Sequence, residues 1–462
     1  MSDHAIPCPC SAGLATPPTS PAPRVGLGVL AGYVPVALID EVLVGTGRLQ
    51  QRVRRLPARV TVLFILALTL FSELGYRSVW RELAHAGSAG AEATPPSSSG
   101  LAQARRRIGL APLAALFARL RGAQAAPGMA GAFLAGLRLV SWDATMLDVA
   151  DSEANTAAFI TSRNRRGVGA FPKVRLMTLI EVGTHAVIDA VFGRESEQVL
   201  AGRLLDALKP GMLLLGDRNF PSWKLWGQTA STGAHLLWRA KAGLLLPRVG
   251  VFPDGSWLAV LPKPGVGRRV GHWVRVVEYT VTVTATDPAT GTLTTRTELF
   301  RLLTTLTDPH VAGAAELAAC YRQRWESETG FKALKTCQRG PRAVLRSTDP
   351  DPDGVRQELY AYLITYQAIR CPVTSGNAYL PGIALIAADR DRIEVSRQAP
   401  GSRVRRARPA ASFPMRLRRH HASDDLLGIA NSADRRRRCS RQARAAQRSL
   451  HRAPPGGSCQ DF

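Results

Sequence analysis

The sequence predicts an α/β protein with a helical N-terminal region, a stretch of alternating strands and helices, and a β-rich stretch after it. Three patterns predict it. Helix-spaced apolar residues dominate from about 25 to 125. Short apolar runs ending in acids lie near Leu137 and again at Met212, as in strands buried on both faces. Between 242 and 300 the texture is β, with branched residues and threonine alternating over Val274–Thr286.

Composition narrows the partners. The chain has 462 residues, enough for two or three domains of about 150 residues each. Hydrophobic residues make up 45% and charged residues 21%, which excludes wholesale disorder. Sixty Lys+Arg against 35 Asp+Glu leave a net charge of +25, suited to a polyanion. Val25–Ile39 is interrupted by glycines and Pro35, and Val60–Phe71 is short. A bilayer needs about 20 apolar residues, so both runs read as buried helix, with no membrane role, and nucleic acid is the expected partner. The seven cysteines are odd in number, with Cys8 and Cys10 the one close pair. That excludes a disulfide scaffold or zinc finger and fits a reducing cytoplasm.

The elements follow in order. Residues 1–24 read as a disordered arm. Val34–Leu56 carries helix-spaced apolar residues and a basic end, and after Pro57 an apolar helix runs towards Trp80. Residues 86–100 form a linker, and a helix beginning near Leu101 carries Arg105, Arg106 and Arg107. Three adjacent arginines cannot all face a core, so they reach phosphates or solvent. Leu137–Asp143 reads as a strand ending in an acid, and Val174–Val182 with His185–Phe192 as a hairpin across Gly183. A helical stretch at Glu197–Leu208 precedes the strand Met212–Gly216, which ends at Asp217. A turn at Asp287–Gly291 reverses the β stretch towards Leu302, and long helices are expected at Ala314–Lys335 and Val355–Arg370. Residues 401–462 hold fifteen Arg and four Asp, a composition that cannot build a core.

Three acids stand out. Asp143 and Asp217 each end an apolar strand, where parallel neighbours can bring their tips together, although either alone could serve a turn. On a helix at about 100° per residue, Tyr321, Arg324, Glu328 and Lys335 share a stripe about 60° wide. Such a stripe is either a solvated salt-bridged face or a carboxylate that holds a cation beside donors to phosphate. Thiol-free carboxylates suit Mg²⁺ or Mn²⁺, and three acids among basic groups suit two-ion phosphodiester chemistry. Asp148, Asp151, Glu181, Asp189 and Glu195 have no comparable context, and Asp151 reads as a turn cap.

These residues resemble the DDE transposases of the bacterial insertion element 4 type. That family's helix signature is Tyr, two residues, Arg, three residues, Glu, six residues, Lys, and Tyr321, Arg324, Glu328 and Lys335 match every spacing. On the order of one chain in a thousand of this size would match by chance. Trp142-Asp143-Ala144-Thr145 and Leu213-Leu-Leu-Gly-Asp217-Arg-Asn-Phe220 are similar to the segments of the first and second aspartates, with Ala144 where glycine is usual. The three acids are 74 and 111 positions apart, and the long gap holds the β-rich stretch. Leu56–Arg59 and Ala104–Gly109 are also family-like, so the resemblance covers about 25–375.

The resemblance implies an RNase H-like core, a mixed sheet flanked by helices, at 131–241 and 301–375. It implies a β-rich insertion at 242–300, an N-terminal all-helical DNA-binding domain at 25–130 and a disordered basic C-terminal tail at 376–462. It further implies that Asp143, Asp217 and Glu328 bind two Mg²⁺ or Mn²⁺ ions and catalyse cleavage at terminal inverted repeats, then joining of 3′-hydroxyl ends to target DNA. Tyr321, Arg324 and Lys335 would contact DNA, with Arg105, Arg106 and Arg107. A homodimer on paired ends, a cytoplasmic, nucleoid-associated location and no small-molecule cofactor follow. Relatives can hold a displaced base on an insertion aromatic, for which Trp257 and Trp273 stand as options beside the plainer buried-strand reading. The rival readings are a silent DNA-binding remnant and a nuclease without strand transfer. Past about Arg370 the chain departs from the family, as a frameshifted C-terminus would.

Overall fold

The computed structural model describes residues 22–50, 52, 56–86, 95–161, 163–164, 167–241, 243–267, 270–286, 293–324, 344–374 and 395–396. The chain divides into two units, residues 1–279 with 299–390 and residues 280–298 with 391–462.

The N-terminal region is helical, in six pieces: α1 (Ala22–Tyr33), α2 (Val36–Gly45), α3 (Ala58–Leu70), α4 (Tyr76–His85), α5 (Ser98–Ile108) and α6 (Ala111–Leu120). Eleven of the thirteen residues of α3 are buried, as expected of a helix apolar on every side. It starts after Pro57 and ends at Phe71, so the expected run from Pro57 towards Trp80 is two helices. Trp80 lies in α4 instead, fully buried and tilted against Phe64 of α3 at 6.0 Å.

The core sheet begins with β1 (Phe133–Leu134) and β2 (Leu137–Asp148). Next come α7 (Glu153–Ala158), the short pair β3 (Arg163–Asn164) and β4 (Gly167–Val168), then β5 (Lys173–Glu181) and β6 (Val187–Gly193). After α8 (Glu197–Gly202) come β7 (Met212–Gly216), α9 (Trp223–Ala230) and β8 (His235–Arg239). Strands β2, β5 and β6 form an antiparallel meander, while β7 and β8 run parallel to β2. The order β6-β5-β2-β7-β8 is RNase H-like. Leu213, Leu214 and Leu215 of β7 are fully buried, as a central parallel strand requires.

The β-rich stretch consists of β9 (Gly250–Val251), β10 (Trp257–Pro262), β11 (Gly271–Thr286) and β12 (Leu293–Thr304). It is not a separate sheet. β12 pairs antiparallel with β8 through Leu302–Arg239 to Thr304–Leu237, extending the core sheet as β8-β12-β11-β10-β9. The expected turn at Asp287–Gly291 lies outside the described residues. In the second unit, Thr280 and Val281 pair with Ser396 and Val395 of β13 (Val395–Ser396). The rest of the basic tail and residues 1–21 also lie outside the described residues.

Among the described residues, two helices follow in the core, α10 (Ala314–Arg322) and α11 (Asp353–Thr374). α11 joins the N-terminal helices and one sheet face in a single core, which holds Leu359, Leu363 and Ile364 together with Phe64, Leu66, Val174 and Leu176. Thr69 of α3 and Thr365 of α11 share a 2.8 Å hydroxyl contact. The helical region is therefore a layer packed on the core, not a body apart from it. The opposite sheet face packs Trp142, Met177, Leu214 and Trp238 against α8, α9 and the insertion's Trp257, Ala259 and Val274.

Glu181 illustrates a structural acid. It is fully buried and accepts from the Gln124 and Ala125 amides at 2.8 and 2.7 Å and from Thr184 Oγ1, and it pairs with Arg138. These bonds anchor the chain that enters β1 from the helical layer. Glu181→Gln keeps the shape but turns one acceptor into a donor among donors. It is expected to cost about 1–3 kcal/mol, read by urea denaturation; an unchanged midpoint would refute this role.

Candidate active site

The first aspartate does not end its strand. β2 continues five residues past Asp143 because β5 pairs with it as far as Asp148–Lys173. β7 stops at Gly216, so Asp143 projects where its parallel neighbour has ended. Ser141 pairs with Leu215, and Gly216 pairs with Trp238. Two positions beyond the first pair lie Asp143 and Asp217, and one beyond the second lie Asp217 and Arg239. Side chains repeat every second residue on a strand, so continuing the register aligns Asp143, inside β2, with Asp217, the residue after β7, and Arg239, the last residue of β8, as a row on one face. Thr178, directly opposite Asp143 on β5, extends the row by one strand.

Aromatic packing supports these positions from the opposite face. Trp142 lies 5.7 Å from Trp238 and 5.5 Å from Phe220, and Trp226 lies 5.2 Å from Trp238. Gly216 has a steric reason, since a Cβ there would stand 2.6 Å from the Trp238 ring. The chain then turns sharply, with the Phe220 amide donating to the Asp217 carbonyl at 3.1 Å and the Arg218 amide to Asp217 Oδ1. The Asp143 carboxylate accepts from the Ala144 amide at 2.9 Å.

α10 closes over this row. Tyr321 is buried and its hydroxyl donates to the Gly216 carbonyl at 3.1 Å, one residue before Asp217. Burial pushes the Tyr321 phenol well up; Arg324 and Arg239 oppose the rise and Asp217 adds to it. The phenol therefore stays protonated and acts as a donor. Arg324 is 6% exposed, with its guanidinium 5.9 Å from the Tyr321 ring centre. The expected uninterrupted helix to Lys335 is not what the described residues form: α10 ends at Arg322, and Gln323 and Arg324 continue as a turn with i→i+3 bonds to Cys320 and Tyr321. Glu328 and Lys335 lie outside the described residues. The chain is described again from residue 344, where Leu345 bridges Val149 in parallel beside the end of β2.

Among the described residues, no three acids, histidines or cysteines converge on one point. Asp143 and Asp217 supply the two acidic members of the row, and their oxygen-only donors fit a hard divalent ion. The competing acids have local partners. Asp148 pairs with Lys173, Asp189 with Arg121 and Glu195 with Arg203. Asp151 accepts from Thr156 Oγ1, while the cap of α7 is Ser152.

The three arginines of α5 separate. Arg105 is 2% exposed and donates to Gln357 Oε1 at 3.0 Å, to the Gly354 carbonyl at 3.2 Å and to the Tyr76 hydroxyl. It joins α5 to α4 and α11, so its expected DNA contact is corrected to a structural role. The cause is helical phase, because Leu101, Ala104, Arg105 and Ile108 form the buried face. Arg106 and Arg107 are exposed, Arg106 bonding Asp349 at 2.7 Å. Of the insertion tryptophans, Trp257 is buried, with Arg248 4.5 Å above its ring, while Trp273 is 55% exposed.

An RNase H-like sheet that carries two acids on neighbouring parallel strands is a frame suited to metal-assisted phosphodiester chemistry. Residues 24–118 match the family description "Insertion element 4 transposase N-terminal" and residues 135–366 match "Transposase DDE domain". The chain is 25% identical over 375 residues to the transposase InsG for insertion sequence element IS4 of Escherichia coli strain K12, covering 78% of this chain and 79% of that one. A cryo-EM structure of the piggyBac transposase synaptic complex with hairpin DNA is similar at 8% identity over 79% of this chain and 78% of its own, with a TM-score of 0.41, too low to bear on fold or function. The chain belongs to the DDE transposases of the insertion element 4 type, enzymes of insertion sequences. No helix among the described residues is long and apolar enough to cross a membrane.

Proposed function

We propose that this transposase binds the terminal inverted repeats of its own element, cuts the ends and joins the freed 3′-hydroxyls to target DNA. One observation carries the reading: Asp143 and Asp217 each lie two residues past Ser141 and Leu215, which pair on adjacent parallel strands. Glu328 is the third ligand, four residues past Arg324 and so within about 14 Å of chain from it. Two Mg²⁺ or Mn²⁺ ions held by these carboxylates would supply the Lewis acidity for phosphodiester attack.

The protein's own groups do the rest. Tyr321 fixes the backbone at Gly216 and so the direction in which Asp217 leaves β7. Arg324 and Lys335 are assigned to phosphates flanking the cut, with exposed Arg106 and Arg107 on more distant phosphates. Of the two insertion tryptophans, Trp273 is assigned to a displaced base because Trp257 is covered. A homodimer on paired ends and a cytoplasmic, nucleoid-associated location belong to the same reading.

The test uses labelled linear DNA spanning the boundary of the gene's flanks. With Mg²⁺, nicks are expected at the inverted-repeat boundary and 3′ ends are expected to join a target plasmid; EDTA should stop both. Cleavage without joining would mean a nuclease, and shifted but uncut DNA a binding remnant.

A further inference from the structure

Thr178 faces Asp143 across the β2–β5 pair. It is 2% exposed, and its Oγ1 is enclosed without a hydrogen-bond partner. Its neighbours on the same face of the strand, Leu176 and Ile180, are apolar and buried. A valine would fill the same volume without burying an unpartnered hydroxyl, which is a costly arrangement. Directly opposed residues of an antiparallel pair hold their Cβ atoms about 4.5–5.5 Å apart on the same face. That separation lets a threonine hydroxyl reach an aspartate oxygen. An orphaned donor beside an ion-binding carboxylate fits a site completed when the carboxylate turns towards its ion.

We propose that Thr178 is a positioning residue of the active site, its hydroxyl donating to the Asp143 carboxylate when that carboxylate turns to hold a divalent cation. The inference rests on Asp143 being a cation ligand. A ligating carboxylate is commonly oriented by a neighbouring donor, and loss of such a donor weakens metal binding by about ten- to a hundredfold. Thr178 touches neither DNA nor ion. It acts through Asp143, so its loss should move the metal dependence of the reaction and leave DNA affinity alone.

The experiment compares full-length wild type, Thr178→Val, Thr178→Ser and Asp143→Asn, each bound to duplex carrying the element's end. Mn²⁺ retention is followed by the loss of the free-ion EPR signal, and end cleavage is followed against Mg²⁺ concentration. Thr178→Val is expected to need about tenfold more Mg²⁺ for half-maximal cleavage and to hold Mn²⁺ correspondingly less well. Its melting temperature in EDTA should not fall, since the hydroxyl has no partner to lose there. Thr178→Ser should behave as wild type. A Thr178→Val protein with the wild-type Mg²⁺ profile, alongside an Asp143→Asn protein that has lost both readouts, would overturn the role of Thr178 alone. Retention of Mn²⁺ and cleavage by Asp143→Asn would overturn the ligand assignment and the role of Thr178 with it.

Discussion

Asp217→Asn is expected to abolish end cleavage while leaving DNA binding intact, and Asp143→Asn and Glu328→Gln should do the same. Each amide keeps the shape of its acid and removes one ligand charge. Ion-assisted phosphodiester attack draws several kcal/mol from such charge, and each 1.4 kcal/mol is about tenfold in rate, so a loss of at least about a thousandfold follows. Binding is another matter. DNA affinity comes from cations on phosphates and falls with salt according to their number, and none of these three residues is a cation. The variants should shift labelled end DNA with the wild-type salt slope, or slightly more tightly, because a negative charge has left the path of the backbone. The Tyr321 bond to the Gly216 carbonyl does not involve the Asp217 side chain, so the fold should be unchanged. Cleavage by Asp217→Asn within tenfold of wild type would remove this residue from the catalytic set.

The neighbourhood of Asp143 and Asp217 in the sheet was legible because each follows a short apolar run that forms a strand. The run at Leu213–Leu215 sits in the sheet as its composition demands. The end of β2 was not legible, because what carries that strand past Asp143 is pairing with β5, a partner 35 residues away from the acid. Arg239 and Thr178 were missed for a related reason. Nothing local marks either residue, and only the register across four strands sets them in line with Asp143 and Asp217. Arg105 was legible in principle. Leu101, Ala104 and Ile108 recur at helical spacing and place it inside the apolar stripe, a phase that the run of three arginines obscures. The insertion was legible as β structure but not as part of the core sheet, since the pairing of β12 with β8 depends on sheet closure between residues about sixty positions apart.

Arg275→Ala is expected to cost about 3–5 kcal/mol of stability and to take cleavage with it, although Arg275 lies in the insertion. Its guanidinium is wholly buried. It donates to Ser256 Oγ at 2.8 Å and to the Ala312 carbonyl at 2.8 Å, and pairs with Asp254. Asp254 Oδ2 in turn accepts from the Ala314 amide at 2.9 Å, the first residue of α10. The insertion thus holds the N-terminal end of α10, while Tyr321 ties its other end to the strand of Asp217. Removing the arginine leaves a carboxylate, a hydroxyl and a carbonyl without their buried donor, and loosens the start of α10, the helix that carries Tyr321. Burial alone would raise the Asp254 carboxyl, but bonds from Ser256 and Ala314 and the Arg275 charge outweigh it and hold the group below its ordinary value. A depressed carboxyl stabilises the fold above its unfolded value and loses that contribution as pH falls through its folded one. Wild type should therefore lose this stabilisation on the acid side of about pH 4, whereas Asp254→Asn, already weaker at pH 7, should show less of that acid dependence. Melting curves from pH 7 to pH 3 on wild type, Arg275→Ala and Asp254→Asn test both halves. An Arg275→Ala protein that melts with wild type and cuts DNA normally would show that the insertion does not set the position of α10.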